Sequence, residues 1–251
     1  DADAVATSED GLESQIEKMG IAVELSCLKV DTFQHALNNL DTMDFVITNP
    51  PWEAIKPDYR ELKAYDDDQR EEIISELKSF DCFLAESYPV SQPSRKFAGW
   101  GTNLSRVGTE LSVRLLKSDG LCFIVLPTSL LGDMTSGTLR KWLFDKCSIS
   151  DVCFYPAEEH LFNGVDQDAI TLKMTMGAEW NSIQFIDFRG GEHHMGDVVN
   201  ITREGLQEFG DIIPARLGSS PFKILPMFLN LPRLDEWECE KCGSLWGGRE
   251  V

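Results

Sequence analysis

The chain has 251 residues, of which 42% are hydrophobic and 10% aromatic, which is enough for one full α/β domain and part of another. Its longest apolar stretch, residues 121–131, is too short to span a bilayer, and the first residues show no secretory signal, so we expect a cytoplasmic protein without membrane contact. The net charge of −19 is unfavourable for binding nucleic acid, because nucleic-acid-binding surfaces neutralise phosphates with lysine and arginine.

The predicted elements alternate between helices and strands over most of the chain. The pattern predicts helices over 10–19, 32–40, 67–87, 106–117 and 135–146, and strands over 22–30, 43–48, 121–126, 149–155, 169–174 and 183–188. This alternation is typical of an α/β sheet with helices on both faces. We expect 43–48 to be a buried strand and 121–126, which is almost purely apolar, to be covered on both faces. A turn is predicted at 118–120.

The alternation ends near residue 190. No long helix separates the last three predicted strands, which indicates antiparallel pairing among them. We therefore expect one α/β domain over residues 1–190, a connecting segment over 191–211, and the start of a further domain over 212–251, where glycine, proline and tryptophan are frequent.

The seven cysteines do not form the pattern of a disulfide framework. Five of them stand singly: Cys27, Cys82, Cys122, Cys147 and Cys153. Cys239 and Cys242 have half of a zinc-ribbon spacing, whereas a structural zinc site needs four ligands. The histidine pair His193 and His194, in an expected polar loop, has no recognisable ligand spacing. We therefore predict no metal site.

The segment Asn49-Pro50-Pro51-Trp52 follows the predicted strand 43–48 directly. Ligands of open α/β sheets bind at the carboxyl ends of the strands. Two successive prolines fix the backbone and lack N–H donors, so an asparagine oxygen and a neighbouring carbonyl are free to accept both hydrogens of an exocyclic amine. The Trp52 ring offers a flat face to a base that has left its stack. The alternative is a rigid turn with Trp52 in the core.

Residues 44–52, Asp-Phe-Val-Ile-Thr-Asn-Pro-Pro-Trp, resemble the catalytic motif of S-adenosylmethionine-dependent methyltransferases that act on adenine N6 in DNA. The tryptophan form resembles type IIG restriction–modification enzymes and related phage-defence methyltransferases. Further segments match in the family's order: 101–104, the helix with Glu110, 115–120, 123–127, 139–143 and 160–165. The resemblance covers residues 1–190 and implies a Rossmann-like class I methyltransferase fold.

The resemblance implies roles for individual residues. Asn49 and Pro50 would hold the target amine, Pro51 would shape the turn, and Trp52 would stack on the adenine. Phe162 would contact the base from another side, with core packing as its alternative.

Two residues are implied at the cofactor. Asp31, at the end of the predicted strand 22–30, would accept a hydrogen bond from the adenine amine of S-adenosylmethionine, and Asn49 would lie beside the cofactor. Capping of the helix 32–40 is the alternative for Asp31, and the two roles are compatible.

The implied reaction is direct methyl transfer to an adenine flipped out of double-stranded DNA. Subunits of a restriction or defence system are candidate partners, and residues 212–251 would begin a target-recognition domain. The family's glycine-rich cofactor loop is not found, and residues 1–5 resemble the stretch after the second strand of the fold. We therefore expect the N-terminal strands and this loop to be missing, and the chain alone to bind S-adenosylmethionine poorly.

Two alternative hypotheses remain at this point. RNA methyltransferases and glutamine methyltransferases of translation factors use a similar Asn-Pro-Pro-aromatic motif, usually with tyrosine. A non-catalytic scaffold subunit of a defence complex would agree with the acidic charge and the missing loop.

Overall fold

The computed structural model describes residue 18 and residues 28–93, 101–161, 166–224 and 227. The chain divides into two compact units, residues 1–40 and 41–251. In the first unit, helix α1 (Thr32–His35) continues as a 3-10 turn over Ala36–Asn38, which confirms the predicted helix 32–40. Apart from the helical Lys18, the predicted helix 10–19 lies outside the described residues. So does most of the predicted strand 22–30, of which the described residues 28–30 are not strand.

The second unit contains six strands and five α-helices among its described residues. The strands are β1 (Met43–Thr48), β2 (Leu116–Pro127), β3 (Cys147–Tyr155), β4 (Ala169–Met176), β5 (Ser182–Arg189) and β6 (Glu192–Asn200). The helices are α2 (Asp67–Ser87), α3 (Leu104–Leu115), α4 (Gly137–Lys146), α5 (Arg203–Glu208) and α6 (Ser220–Ile224). Each helix and strand predicted between residues 43 and 188 is therefore present.

The strands form one mixed sheet in the order β1-β2-β4-β3-β5-β6. The pairs β1–β2 and β3–β5 are parallel, whereas β4 runs antiparallel to both β2 and β3. The antiparallel pairing predicted among the last three strands is thus confirmed between β3 and β4 and is wrong for β5, which pairs parallel with β3. It follows that β1, β2, β3 and β5 share one direction, and their carboxyl ends lie along the same edge of the sheet.

Strand β2 begins directly at the end of α3, where a turn was predicted at 118–120. Met43 lies opposite Leu116, but Phe45 lies opposite Leu121, so residues 117–120 bulge out of the β1–β2 ladder. Asp119 has a φ of 62°, in the left-handed region that aspartate tolerates better than most residues. The turn predicted at 118–120 is therefore a bulge within β2 and not a separate element between α3 and β2.

The core of the sheet unit lies on one face of β2. Cys122, Ile124 and Leu126 are fully buried in a cluster that includes Leu139 and Leu143 of α4. The alternate side chains at 121, 123 and 125 are only half-buried. The expectation that residues 121–126 are covered on both faces is therefore met on one face among the described residues.

Strand β1 is not the buried strand that its sequence suggested. Phe45 is 49% exposed and Ile47 75% exposed. The physical reason is position: within the described residues β1 is an edge strand that pairs with β2 alone. Phe45 instead stacks on Phe123 of β2, with 5.4 Å between the ring centroids.

The sheet continues beyond residue 190, where a connecting segment was expected over 191–211. Strand β6 pairs antiparallel with β5, and Leu206 of α5 joins the same core cluster as Ile213 and Phe222. Within 212–251, all residues after 224 except Met227 lie outside the described residues. A further domain in this part of the chain stays a prediction.

Helix α2 has the bounds predicted from its sequence. Its first turn is closed by a capping box in which Asp66 Oδ1 accepts from Gln69 N (2.9 Å) and Gln69 Oε1 accepts from Asp66 N (3.2 Å). Most of its surface is charged and exposed, yet Asp81 and Leu84 near its end are buried. Among the described helices, none has the length and apolar character that crossing a membrane requires.

Truncating the core tests the sheet packing. Leu143 is fully buried on α4, so Leu143→Ala should lower the free energy of unfolding by about 2–5 kcal/mol. Lys141→Ala, at an exposed position of the same helix, is the matched control and should stay within about 0.5 kcal/mol of the unmodified protein. Urea unfolding followed by circular dichroism measures both, and equal effects would show that α4 does not pack as described.

Candidate active site

The segment Asn49-Pro50-Pro51-Trp52 begins where β1 ends, at the edge of the sheet that carries the carboxyl ends of the parallel strands. Asn49 and Pro51 are exposed, Pro50 is buried and Trp52 is half-buried. The asparagine amide is therefore accessible from outside while the residue after it is anchored in the protein. This is the edge at which open α/β sheets bind ligands.

Pro50 is anchored by direct contact with helix α3. A Cβ built on Gly108 would lie 2.3 Å from Pro50 Cβ and 3.0 Å from Pro50 Cγ. Such distances leave no room for a side chain, so the helix backbone itself rests on the proline ring.

The residues after Trp52 are fixed to the segment that leads into α3. Leu104 N donates to Glu53 O (2.8 Å) and Ile55 N donates to Thr102 O (2.9 Å), which makes an isolated antiparallel bridge between Ala54 and Asn103. The chain on the carboxyl side of the motif is therefore held by backbone hydrogen bonds although it lies outside the main sheet.

A buried carboxylate of α2 also holds the segment that leads into α3. Asp81 is 3% exposed, and its Oδ1 accepts from Gly101 N (3.1 Å) and Thr102 N (2.6 Å). Hydrogen bonds to a charged acceptor contribute about 1.5–3 kcal/mol each. Asp81 therefore links α2 to the backbone that pairs with residues 53–55.

The first turn of α3 is closed by Asn103. Its Oδ1 accepts from Arg106 N (3.2 Å) and from Ser105 Oγ (2.6 Å), as expected of an asparagine N-cap. The resemblance singled out residues 101–104 without giving them a role. In the structure these residues join the motif, α2 and α3.

A second buried carboxylate, Glu110, fixes the middle of α3. Glu110 is 1% exposed; its Oε2 accepts from Ser91 N (2.7 Å) and its Oε1 lies 3.5 Å from Arg114 Nη1. Arg114 also donates to Ser87 O (2.6 Å) and lies over the Tyr88 ring. Burial raises the pKa of Glu110, and the hydrogen bond from Ser91 and the charge of Arg114 offset part of this rise.

Sequence reasoning assigned no structural role to Asp81 or Glu110. The burial of both residues could have been predicted from the sequence, because each acidic residue lies at helical spacing from apolar residues of the same helix. Asp81 precedes the buried Leu84 by three positions, and Glu110 lies between Val107 and Leu111. An acidic residue on the buried face of a helix is expected to have a specific partner.

Phe162 and Asp31 are the two predicted site residues outside the motif, and His193 was expected only as part of a polar loop. Phe162 lies outside the described residues. Asp31 Oδ1 accepts from Gln34 N (2.8 Å) and caps α1, which confirms the capping role; its cofactor role stays a prediction. His193, expected in a polar loop, instead belongs to β6 and lies 3.1 Å from the Tyr155 hydroxyl.

Two of the described cysteines, Cys122 and Cys147, are buried thiols of the sheet. Burial raises the pKa of Cys122 and of Cys147 to about 12, so both thiols stay protonated at neutral pH and are poor nucleophiles. In residues 28–93, 101–161 and 166–224, no group of three or more His, Cys, Asp or Glu side chains could hold a metal ion. Cys239 and Cys242 lie outside the described residues.

No known protein family profile matches this chain, and no curated protein matches its sequence. Among solved structures, it is similar to the methyltransferase subunit of a type I restriction–modification system from Streptococcus thermophilus, with a TM-score of 0.51 and 16% identity, over 81% of this chain and 44% of that one. It is also similar to the type IIG restriction endonuclease BpuSI, with a TM-score of 0.47 and 14% identity, over 80% of this chain and 24% of that one.

A third similar structure is the M protein of the type I restriction enzyme EcoKI, with a TM-score of 0.41 and 18% identity, over 72% of this chain and 32% of that one. The chain thus spans less than half the length of each of the three proteins. At these identities the likeness concerns the fold. The chain therefore has the Rossmann-like α/β fold that the methyltransferase subunit from Streptococcus thermophilus also has.

The raised pKa of Glu110 predicts a pH dependence of stability. The folded protein holds this proton more tightly than the unfolded chain does, so the stability from this group is fully present below about pH 4.3, the pKa of a free glutamate. It is lost as the pH rises through the raised value of the folded state. The free energy of unfolding of the unmodified protein, minus that of Glu110→Gln, should therefore fall as the pH rises.

Chemical unfolding between about pH 4 and pH 8 measures this difference. Glu76→Gln, at an exposed position of α2, is the matched control, because it removes a carboxylate that is not buried. A difference for Glu110→Gln that does not change with pH any more than that of this control would contradict a buried, desolvated carboxylate at position 110.

Proposed function

We propose that the chain is catalytic machinery of an S-adenosylmethionine-dependent DNA methyltransferase that modifies adenine N6 in a restriction–modification or phage-defence system. The observation that carries the proposal is the position of Asn49-Pro50-Pro51-Trp52 at the carboxyl edge of the sheet, with an exposed asparagine and a buried proline. The fold shared with the methyltransferase subunit from Streptococcus thermophilus supports it, because the motif and the fold belong together in the resemblance.

The first two motif residues supply two acceptors for one amine. Asn49 Oδ1 and the carbonyl oxygen of Pro50 would each accept one hydrogen of the adenine N6 amine. Positive charge would develop on this nitrogen as its bond to the methyl group forms and the sulfur–methyl bond of the donor breaks, so both hydrogen bonds would strengthen toward the transition state. Interactions that strengthen in this way accelerate the reaction, whereas equal binding of substrate and transition state does not.

Trp52 would receive the flipped base. Extruding a base from the duplex costs a few kcal/mol, and stacking on an aromatic side chain returns about 1–3 kcal/mol. Trp52 suits this role because the chain beside it is fixed, through the bonds of Glu53 and Ile55 to the segment before α3. Phe162 is proposed as the second contact to the base.

S-adenosylmethionine would supply a methyl group activated by its sulfonium. The donor chemistry of two residues fits the cofactor: Asp31 is exposed and uses Oδ1 to cap α1, and we propose Oδ2 as the acceptor for the adenine amine of the cofactor. The exposed Asn49 is proposed to line the place where methyl donor and target amine meet.

Exposed cations follow the motif in an otherwise acidic chain. Residues 53–63 contain three cations, Lys56, Arg60 and Lys63, and three carboxylates, so this segment is neutral, whereas the chain as a whole has a net charge of −19. All three cations are exposed. We propose that they approach the DNA phosphates, with most phosphate contacts made by other parts of the protein.

Replacing the asparagine tests the proposed chemistry. Asn49→Ala removes one of two oriented acceptors, so methyl transfer should fall by about 10²–10³-fold with little change in thermal unfolding. The assay uses protein from the complete reading frame, labelled S-adenosylmethionine and plasmid DNA, and mass spectrometry of nucleosides identifies the product. Asn181→Ala, at an exposed loop position, is the matched control and should transfer at the unmodified rate.

The other outcomes of this assay separate the alternatives. If the methyl groups are found on RNA or on protein glutamine, the proposed chemistry at the nitrogen would stand, but the substrate would not be DNA. Unchanged transfer in Asn49→Ala would overturn the mechanism, and no transfer to any substrate by the unmodified protein would favour a scaffold subunit.

A further inference from the structure

We infer that Gly108 is a positioning residue of the active site: because it has no side chain, α3 rests on the Pro50 ring and fixes the location of the two amine acceptors. The inference rests on the proposed function, since it concerns the alignment of Asn49 and Pro50. Gly108 itself would touch neither the base nor the cofactor.

Pro50 is the reason for a glycine at this position. The three nearest neighbours of a Cβ on Gly108 are all atoms of Pro50: Cβ at 2.3 Å, Cγ at 3.0 Å and Cα at 3.8 Å. The backbone of Gly108 does not itself require glycine, because its φ is not among the positive values found elsewhere in the chain. A helix interior favours alanine over glycine, so the contact explains a residue that the helix disfavours.

The proline ring cannot avoid an added methyl group by rotation. Its Cβ and Cγ are closed into a ring with the backbone nitrogen, unlike the end of a flexible side chain. Relief of a 2.3 Å contact to an ordinary carbon–carbon separation of about 3.5–4.0 Å requires one of the two backbones to move by more than about 1 Å.

Helix α3 is the partner less able to move. Nine of its residues are buried, from Leu104 to Val113 with the exception of Arg106. Its start is fixed by the Asn103 cap and its middle by Glu110. By contrast, the residues on either side of Pro50 are exposed, so the motif would move.

Displacement of Pro50 would reach the chemistry directly. The Pro50 carbonyl and the Asn49 side chain are attached to the backbone that moves, and a misplacement of about 1 Å is enough to cost about 100-fold in rate. Gly108→Ala should therefore lower kcat by about 100-fold while changing the Kd for DNA little. A general loss of structure would change both.

A double-mutant cycle with Pro50→Gly isolates the contact. Pro50→Gly removes Cβ and Cγ, the two atoms nearest the added methyl group, and keeps the backbone carbonyl. Adding Gly108→Ala to Pro50→Gly should then change kcat by less than about threefold, because residues in contact show non-additive effects. Equal fold-losses in the two backgrounds would overturn the inference. Gly137→Ala, where a Cβ would meet no atom within 4 Å, is the matched control and should keep full activity.

A crystal structure of the Gly108→Ala variant separates this inference from the proposed function. We expect Pro50 O to shift by more than about 1 Å relative to β1, whatever reaction the protein performs. A shifted α3 with an unmoved Pro50 would contradict the inference. If the variant does not fold, the double variant with Pro50→Gly should restore folding, and failure to restore it would count equally against the contact.

Discussion

The packing of helix α3 against the end of β1 is the constraint on which the candidate site depends. The helix contacts β1, β2 and α4, and its Gly108 backbone lies directly on Pro50. Its capping segment, residues 101–103, pairs with the chain that follows Trp52. The motif is therefore held by β1 before its exposed asparagine, and by α3 and its capping segment after it.

Two buried carboxylates maintain this arrangement inside a strongly acidic chain. Asp81 and Glu110 are both nearly inaccessible to water, where an unpaired charge would be costly. Each uses its acceptors on backbone N–H groups of loops, Gly101 and Thr102 for Asp81 and Ser91 for Glu110. These hydrogen bonds connect α2, α3 and the motif. Two of the acidic residues of the chain therefore have a structural role in its interior.

The sequence predicted those features that local pattern determines. Strand β1 and helix α2 have their predicted bounds, because the apolar residues before Asn49 and the helical pattern over 67–87 are local signals. Strand β6 could not be predicted, since nearly all of its residues are exposed and it shows no apolar alternation. Its existence depends on pairing with β5.

Features set by distant neighbours could not be predicted either. The exposure of Phe45 and Ile47 follows from the edge position of β1, which no property of the strand itself reveals. The contact between Pro50 and Gly108 joins residues far apart in sequence, and a glycine within a helix does not by itself indicate which residue packs against it. The motif could therefore be located from sequence, whereas the structure that positions it could not.

The most direct measurement is a structure of the protein from its complete reading frame, bound to double-stranded DNA and a non-reactive analogue of S-adenosylmethionine. We expect an extruded adenine whose N6 lies within about 3.2 Å of both Asn49 Oδ1 and Pro50 O, with its ring stacked on Trp52. A target amine that contacts neither oxygen, or a substrate group bound at another edge of the sheet, would contradict the proposed chemistry.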